Sequence, residues 1–367
     1  MAKTELDELR EAVRGFLHDA SPSASVRALM DTDRGYDAAV WKTMATELGL
    51  HGIAVPEQWG GAGAGLREIV VVFEEMGAAL LCAPFFATVA LAVNAVLDSG
   101  DEGAISEYVP AMVGGEMTGT VILDGSLGLW DPHVSVSLTA VAAGDGFRVS
   151  GHAPRVLDGH TADMLFVAAT TSFGVALFAV AADAEGLTRT PLATLDRTRK
   201  IADVTFSDVP ARLIGGREQA ADGLRRTGDL ALVALAAEQL GAASRCLDMA
   251  VDYAKNRIQF GRAIGSFQAV KHRCADMLVL VEGARSAVTH AAGCDDPSEL
   301  AVAAAVAKLA CSEAFLSVAV DTMRVHGGIG FTWEHDAHLY FRRAKSSELM
   351  FGDPHQHAER LAELVGS

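Results

Sequence analysis

Near its C-terminus the chain reads RRAKSSELMFGDPHQH, residues 342–357, which sets two carboxylates, Glu348 and Asp353, close to two histidines, His355 and His357. Carboxylates serve as general bases, and histidines as bases or metal ligands. Histidines two apart diverge on a helix, and no third ligand stands nearby. The HQH stretch is therefore expected to be solvated, and no metal site is expected. Glu348 and Asp353 are expected in surface or helix-cap roles. Five cysteines, Cys82, Cys246, Cys274, Cys294 and Cys311, are odd in number, and no two lie two or three positions apart. They read as buried thiols rather than a disulfide framework or a metal cluster. These residues assign no catalytic group by themselves.

Charge narrows the partners. The formal net charge is −17, which disfavours nucleic acid and anionic membrane surfaces. A phosphate-bearing small molecule stays compatible if arginines are placed locally. Apolar runs such as IVVVF stop well short of the roughly 20 residues that span a bilayer. The first twenty residues, MAKTELDELREAVRGFLHDA, carry helical apolar spacing and mixed charge, unlike a signal peptide. A cytoplasmic protein is expected.

The elements that must position any site fall into three textures. A chain of 367 residues is long enough for two or three structural units. Residues 1–115 have helical periodicity, as in LREIVVVFEEMGAALL, broken by the Gly-rich EQWGGAGAG (57–65). Residues 116–215 change to short β-branched runs divided by Gly, Asp and Ser, and AGDGF predicts a tight hairpin. Residues 216–367 return to long helices. One covers GDLALVALAAEQLGAASRCLDMAVDYAKNR, and a second runs from near Ser266 towards Gly293. A third starts at DDPSEL, where Asp296 caps, Pro297 takes the first turn and Glu299 completes a capping-box pattern. It stops at Gly327–Gly328, a left-handed ending. The expected class is α+β, mostly α: an N-terminal helical domain, a middle antiparallel β domain and a C-terminal four-helix bundle.

Four stretches carry a family resemblance: LGLHGIAVPEQWGGAGAGLREIVVVFEEMGAAL (48–80), LDRTRKIADVTFSDVPARLIG (195–215), YAKNRIQFGRAIGSFQAVKHRCADM (253–277) and VHGGIGFTWEHDAHLYFRRAK (325–345). In this order they resemble the acyl-CoA dehydrogenase flavoproteins, over nearly the whole chain. That resemblance implies α,β-desaturation of an acyl-CoA thioester, with a carboxylate taking the α-proton and FAD the β-hydride. It also implies an FAD shared between subunits. Arg257 then matches a pyrophosphate-contacting arginine, Phe260 an aromatic beside the cofactor, and Gln268 an amide donor. Gly327 and Gly328 match a turn whose backbone approaches the ligand closely. Arg324 stands where many members have glutamine. Singly, Arg257 reads as a helix-end charge, Phe260 as core and the diglycine as a helix stop; arrayed together they favour cofactor contact.

The same resemblance implies losses. Where the family has a flavin-contacting Trp-Ile-Thr/Ser-Asn segment, GHAPRVLDGHTADMLFV (151–167) places Arg155, Leu157 and Asp158, and leucine donates no hydrogen bond. An earlier flavin segment is replaced by ILDGSLGLWDP (122–132), in which Trp130 reads as a structural tryptophan. Phe351 occupies the position of the catalytic glutamate, and Ala231 and Leu232 occupy the alternative position used by a minority branch. Glu238 lies about two helical turns, roughly 10 Å, beyond Ala231 and is expected in a surface or cap role. Three readings follow. The first is a base-lacking subunit that completes the FAD site of a catalytic paralogue in a heterotetramer. The second is a self-sufficient homo-oligomeric enzyme with Glu238 as relocated base. The third is a non-redox CoA-ester-binding scaffold.

Overall fold

The computed structural model describes residues 4–123, 136–216 and 220–366. The chain opens with helices α1 (Glu5–Ala20), α2 (Ser23–Leu29), α3 (Ala38–Thr46) and α4 (Leu66–Ala78). A π-helical segment, Phe86–Val93, leads into α5 (Asn94–Asp98) and then α6 (Glu102–Val113). Seven strands follow: β1 (Gly119–Ile122), β2 (Thr139–Ala143), β3 (Gly146–Leu157), β4 (Met164–Thr171), β5 (Gly174–Ala181), β6 (Leu187–Pro191) and β7 (Ile201–Ile214). The C-terminal part holds α7 (Ala220–Asn256), a hairpin of β8 (Ile258–Gln259) and β9 (Arg262–Ala263), and α8 (Gln268–Ala291). It ends with α9 (Pro297–His326), α10 (Ala337–Leu349) and α11 (Pro354–Leu364). The expected order of helices, β region and helical bundle is the observed one.

The chain divides into two compact units. One comprises residues 1–26, 66–81 and 232–367; the other comprises 27–65 and 82–231. In the second unit β4, β2, β3, β7 and β5 close on themselves, because β5 pairs back to β4. Val149, Val167, Phe178 and Phe206 fill the interior of this sheet. Most pairings are antiparallel, and AGDGF forms the β2–β3 hairpin with Gly144 at φ 60°. The β1–β4 and β2–β4 pairings are parallel, which the long connections between those strands permit.

In the first unit α4 and α7 cross at backbone contact. A Cβ on Gly77 would lie 1.9 Å from the Glu238 carbonyl, and one on Gly241 would lie 1.7 Å from that of Glu74. Glycine is demanded there by close approach rather than by dihedral angle. Helix ends fall where the sequence places them, with two differences in detail. Asp296 accepts from the Ser298 and Glu299 amides at the start of α9, but Glu299 makes no reciprocal bond among the described residues, and Gly327 ends α9 at φ 65° and ψ −141°, outside the left-handed helical region. Asp353 caps α11 in a reciprocal capping box with Gln356, the cap role expected of it. Buried Glu74 and Glu75 are held by Arg10, Arg14 and Arg285 at 2.7–2.9 Å. By length and composition, Ala220–Asn256 and Pro297–Phe331 are apolar enough to cross a membrane, more than the interrupted runs suggest. They are packed in protein, with 83% and 56% of their apolar windows buried.

Candidate functional site

The six residues singled out from the sequence gather at one end of the bundle. There α7 and α9 finish and α8 begins. Two contacts tie the helices together. Tyr253 in the last turn of α7 stacks on His326, the last residue of α9, with ring centroids 4.4 Å apart. Arg273 of α8 pairs with Asp321 of α9, which also holds Arg324 at 3.0 Å.

Arg257 follows α7 directly. Its amide donates to the Tyr253 carbonyl, its own carbonyl accepts from the Ile264 amide, and its side chain is exposed with no ion pair among the described residues. Phe260 and Gly261 make the two-residue turn of the β8–β9 hairpin, with φ 53° and 75°. Such a turn needs left-handed backbone at both central positions and favours Asn-Gly. A phenylalanine there is strained by about 1–3 kcal/mol, yet its ring is 91% exposed. The sequence alternative of a core residue is excluded by that exposure; its one ring contact among the described residues is edge-on to Phe267, 6.1 Å away. Gln268 opens α8, exposed, with its amide 3.5 Å from His272.

Gly327 adopts φ 65° and ψ −141°, a backbone that only glycine adopts without strain. A Cβ on Gly327 or Gly328 would meet no atom of the described residues, sequence neighbours aside, within 4 Å. Crowding within the chain therefore does not explain the second glycine. An exposed guanidinium with no anion among the described residues, at the same end of the bundle as an open backbone turn, is a donor set that fits a phosphate group. The residues present thus fit the phosphate portion of FAD.

The region around Phe351, expected from the sequence at the base position, is fully packed. Phe351 is 5% exposed and sits at φ 55°, and its carbonyl accepts a 2.8 Å hydrogen bond from His357 Nε2. A carbonyl only accepts, so that nitrogen carries the proton. Burial pushes the His357 pKa down to about 4. His355 is solvated as expected, but His357 is fully buried. The expectation of a solvated pair fails for it because α11 turns that face onto the bundle. Among the described residues no cluster could hold a metal.

Lys308, also fully buried, spends its ammonium on the Ser347 carbonyl (2.7 Å), the Glu348 carbonyl (3.0 Å) and the Ser312 hydroxyl (2.9 Å). It thereby satisfies the end of α10, as a basic group at a helix C-terminus does. Beside it Gln239 bonds Ser312, and Glu238 pairs with Arg343. Both side chains of that pair are buried, at 7% and 3% exposure, so the expectation of a surface Glu238 is corrected. Glu348 pairs with Lys345 at 2.5 Å. Ala231 and Leu232 are both buried.

In the other unit Arg155 and Asp158 both have positive φ, 54° and 51°, and a strand irregularity separates Ala153 from Val156. Leu157 is buried, and Asp158 is buried with its amide donating to the Lys200 carbonyl. Trp130 and most of the 122–132 stretch lie outside the described residues.

Sequence reasoning missed Lys308, Arg343 and His357. The signal for Lys308 was present: a charged residue inside an apolar helical run must find a partner if it faces the core, whereas Arg343 stands among other charges and gave none. His357 gave no such signal.

Residues 3–116 match the family model described as acyl-CoA dehydrogenase, N-terminal domain, and residues 230–365 match acyl-CoA dehydrogenase, C-terminal domain. Acyl-CoA dehydrogenase IpdE2 of Mycobacterium tuberculosis is 35% identical across 98% of this chain and 97% of its own length. Acyl-CoA dehydrogenase FadE34 of the same organism is 36% identical across the whole chain, which spans 49% of FadE34. The ChsE4–ChsE5 complex from Mycobacterium tuberculosis contains a chain 31% identical, TM-score 0.90, covering 100% of this chain and 98% of that one. A variant of the Tcur3481–Tcur3483 steroid ACAD contains one 34% identical, TM-score 0.88, covering 99% and 98%. The chain belongs to the acyl-CoA dehydrogenase family, oxidoreductases that bind FAD.

Proposed function

We propose that this chain is the base-lacking subunit of a heteromeric acyl-CoA dehydrogenase. In this reading the 216–367 domain supplies the nucleotide-holding edge of an FAD site completed by a catalytic paralogue. When bound, FAD supplies the hydride acceptor for α,β-desaturation of an acyl-CoA thioester. The residues of this chain bind and orient. Arg257 and the amides at Gly327–Gly328 hold phosphate oxygens, Gln268 donates a hydrogen bond, and Phe260 packs against the cofactor or the neighbouring chain. Arg324, tied to Asp321, keeps positive charge at the same edge.

One observation carries the reading. The six residues stand exposed at one end of the bundle, and the strained Phe260 turn leaves its ring 91% exposed, with Phe267 its one aromatic neighbour among the described residues. Strain of that kind is retained where a partner or ligand uses it. The position of the base points the same way. Phe351 has no ionisable group, and Glu238 is committed to Arg343, which argues against Glu238 as a relocated base. Two similar solved structures are named as pairs of different chains, one of them a steroid ACAD. FadE34 is about twice as long as this chain, with room for a second half of the same size.

Co-expression with a gene-neighbour paralogue carrying a catalytic glutamate tests this. A mixed tetramer holding FAD, observed by native mass spectrometry and the flavin absorption band, is expected. A yellow homo-oligomer that desaturates a thioester unaided would refute it.

A further inference from the structure

Next to the proposed cofactor edge lies a pocket of about 440 Å³, bordered by α7, the end of α9 and the loop before α10. Its lining is dominated by hydrogen-bond acceptors. Three carboxylates, Asp252, Glu334 and Asp336, share it with one cation, Arg245. Asp252 and Glu334 make no ion pair among the described residues. Asp336 accepts from the Ser23 hydroxyl at 2.7 Å. Arg245 lies beside the Tyr340 hydroxyl, which itself donates to the Ala78 carbonyl.

His326 is the second, independent feature. It is 4% exposed and lines the pocket. Its Nδ1 stands 2.8 Å from the Thr322 carbonyl, so Nδ1 bears the proton. Burial holds the ring below its ordinary pKa and therefore neutral. Its Nε2 is then a lone-pair acceptor with no hydrogen-bond partner among the described residues. The ring is sandwiched between Tyr253 and His335, with centroids 4.4 and 4.2 Å away. Carboxylates around a fixed imidazole lone pair match a donor-rich cation. A guanidinium has five N–H donors.

We propose that this pocket receives an arginine side chain from the chain that docks on the bundle end, and so selects which partner docks. This rests on the shared-site reading. The occupant is expected from a partner because the pocket adjoins the residues assigned to the shared edge: Asn256 precedes Arg257, and His326 precedes Gly327. An arginine entering there forms charge-assisted hydrogen bonds to Asp252 and Glu334 and donates a further N–H to His326 Nε2.

The first test uses the isolated chain with histidine labelled at 13Cε1, titrated with N-acetyl-arginine amide. A saturable His326 shift is expected, with binding at least about tenfold weaker for the neutral N-acetyl-citrulline amide and for the D252N/E334Q variant. Equal binding of citrulline and arginine, or no His326 shift, overturns the proposal. The second test uses the co-expressed complex. E334K/D252K is expected to weaken subunit association by about a hundredfold or more through like-charge repulsion, with wild-type FAD content in whatever complex still forms. If that variant assembles as tightly as wild type, the pocket proposal falls while the shared FAD site stands. If no mixed complex forms with the wild-type chain, the shared-site reading itself fails, whatever the titration shows.

Discussion

Replacing Glu238 by glutamine asks directly whether this carboxylate holds the fold or abstracts a proton. The substitution keeps shape and removes charge, leaving the Arg343 guanidinium buried, at 3% exposure, without its carboxylate. Removing one partner of a buried ion pair costs about 3–5 kcal/mol. At roughly 2–4 °C per kcal/mol, the melting temperature should fall by about 6–20 °C. The double variant E238Q/R343M removes the stranded cation and should recover a substantial part of that loss. Urea or thermal unfolding of the two singles and the double gives the coupling energy, expected at about 2 kcal/mol or more. Activity supplies the second readout. Loss of a general base costs about 10²–10⁴-fold, whereas the structural reading leaves kcat of the FAD-loaded complex within about twofold of wild type. A hundredfold fall in kcat with fold and FAD content intact would make Glu238 the base and refute the reasoning. A destabilisation below about 1 kcal/mol would refute the burial argument.

Lys308→Met should cost about 2–4 kcal/mol, because the Ser347 and Glu348 carbonyls and the Ser312 hydroxyl lose a buried ammonium donor; denaturant unfolding measures it. His357 titrates near 4 in the folded chain against 6.5 when free, so the unfolded state binds the proton more readily. Its stabilising contribution is complete above pH 6.5 and is lost as pH falls towards 4. Between pH 7 and 5 the wild type should lose about 2 kcal/mol more than H357Q, and unfolding curves at both pH values check this. Gly241→Ala places a Cβ within 1.7 Å of the Glu74 carbonyl and should cost about 3 kcal/mol by forcing α4 and α7 apart, read as a fall in the unfolding midpoint. Arg257→Ala in the mixed complex should weaken FAD retention by about 10–100-fold without lowering the melting temperature of the isolated chain; unchanged FAD content would remove Arg257 from the cofactor edge.

Local signals transferred well from sequence to structure. Asp296-Pro297 and Gly327 delimit α9, AGDGF forms its hairpin, and Asp353 caps α11, because caps and turns are satisfied by neighbours within a few residues. The gathering of Arg257, Phe260, Gln268, Arg324, Gly327 and Gly328 at one bundle end follows from long helices of defined length and order. What did not transfer depended on which face each helix turns inward. Glu238 reads as a solvated carboxylate on sequence spacing, yet packing buries it on Arg343, 105 positions away. His357 reads as half of a surface pair, yet it donates to the Phe351 carbonyl.

Sequence by itself determined the family and the order of helical and β parts, since these rest on residue identity and local periodicity. Only the tertiary structure decided that a buried Lys308–Ser312–Gln239 network closes the end of α10 and that Glu238 is paired with Arg343. It alone also showed that Phe260 projects into solvent from a strained turn and that His326 offers a lone pair to an acid-lined pocket. The physical reason is range. Hydrogen-bond direction, desolvation and ion pairing act between atoms a few ångströms apart in space, and helix packing alone sets which residues those are.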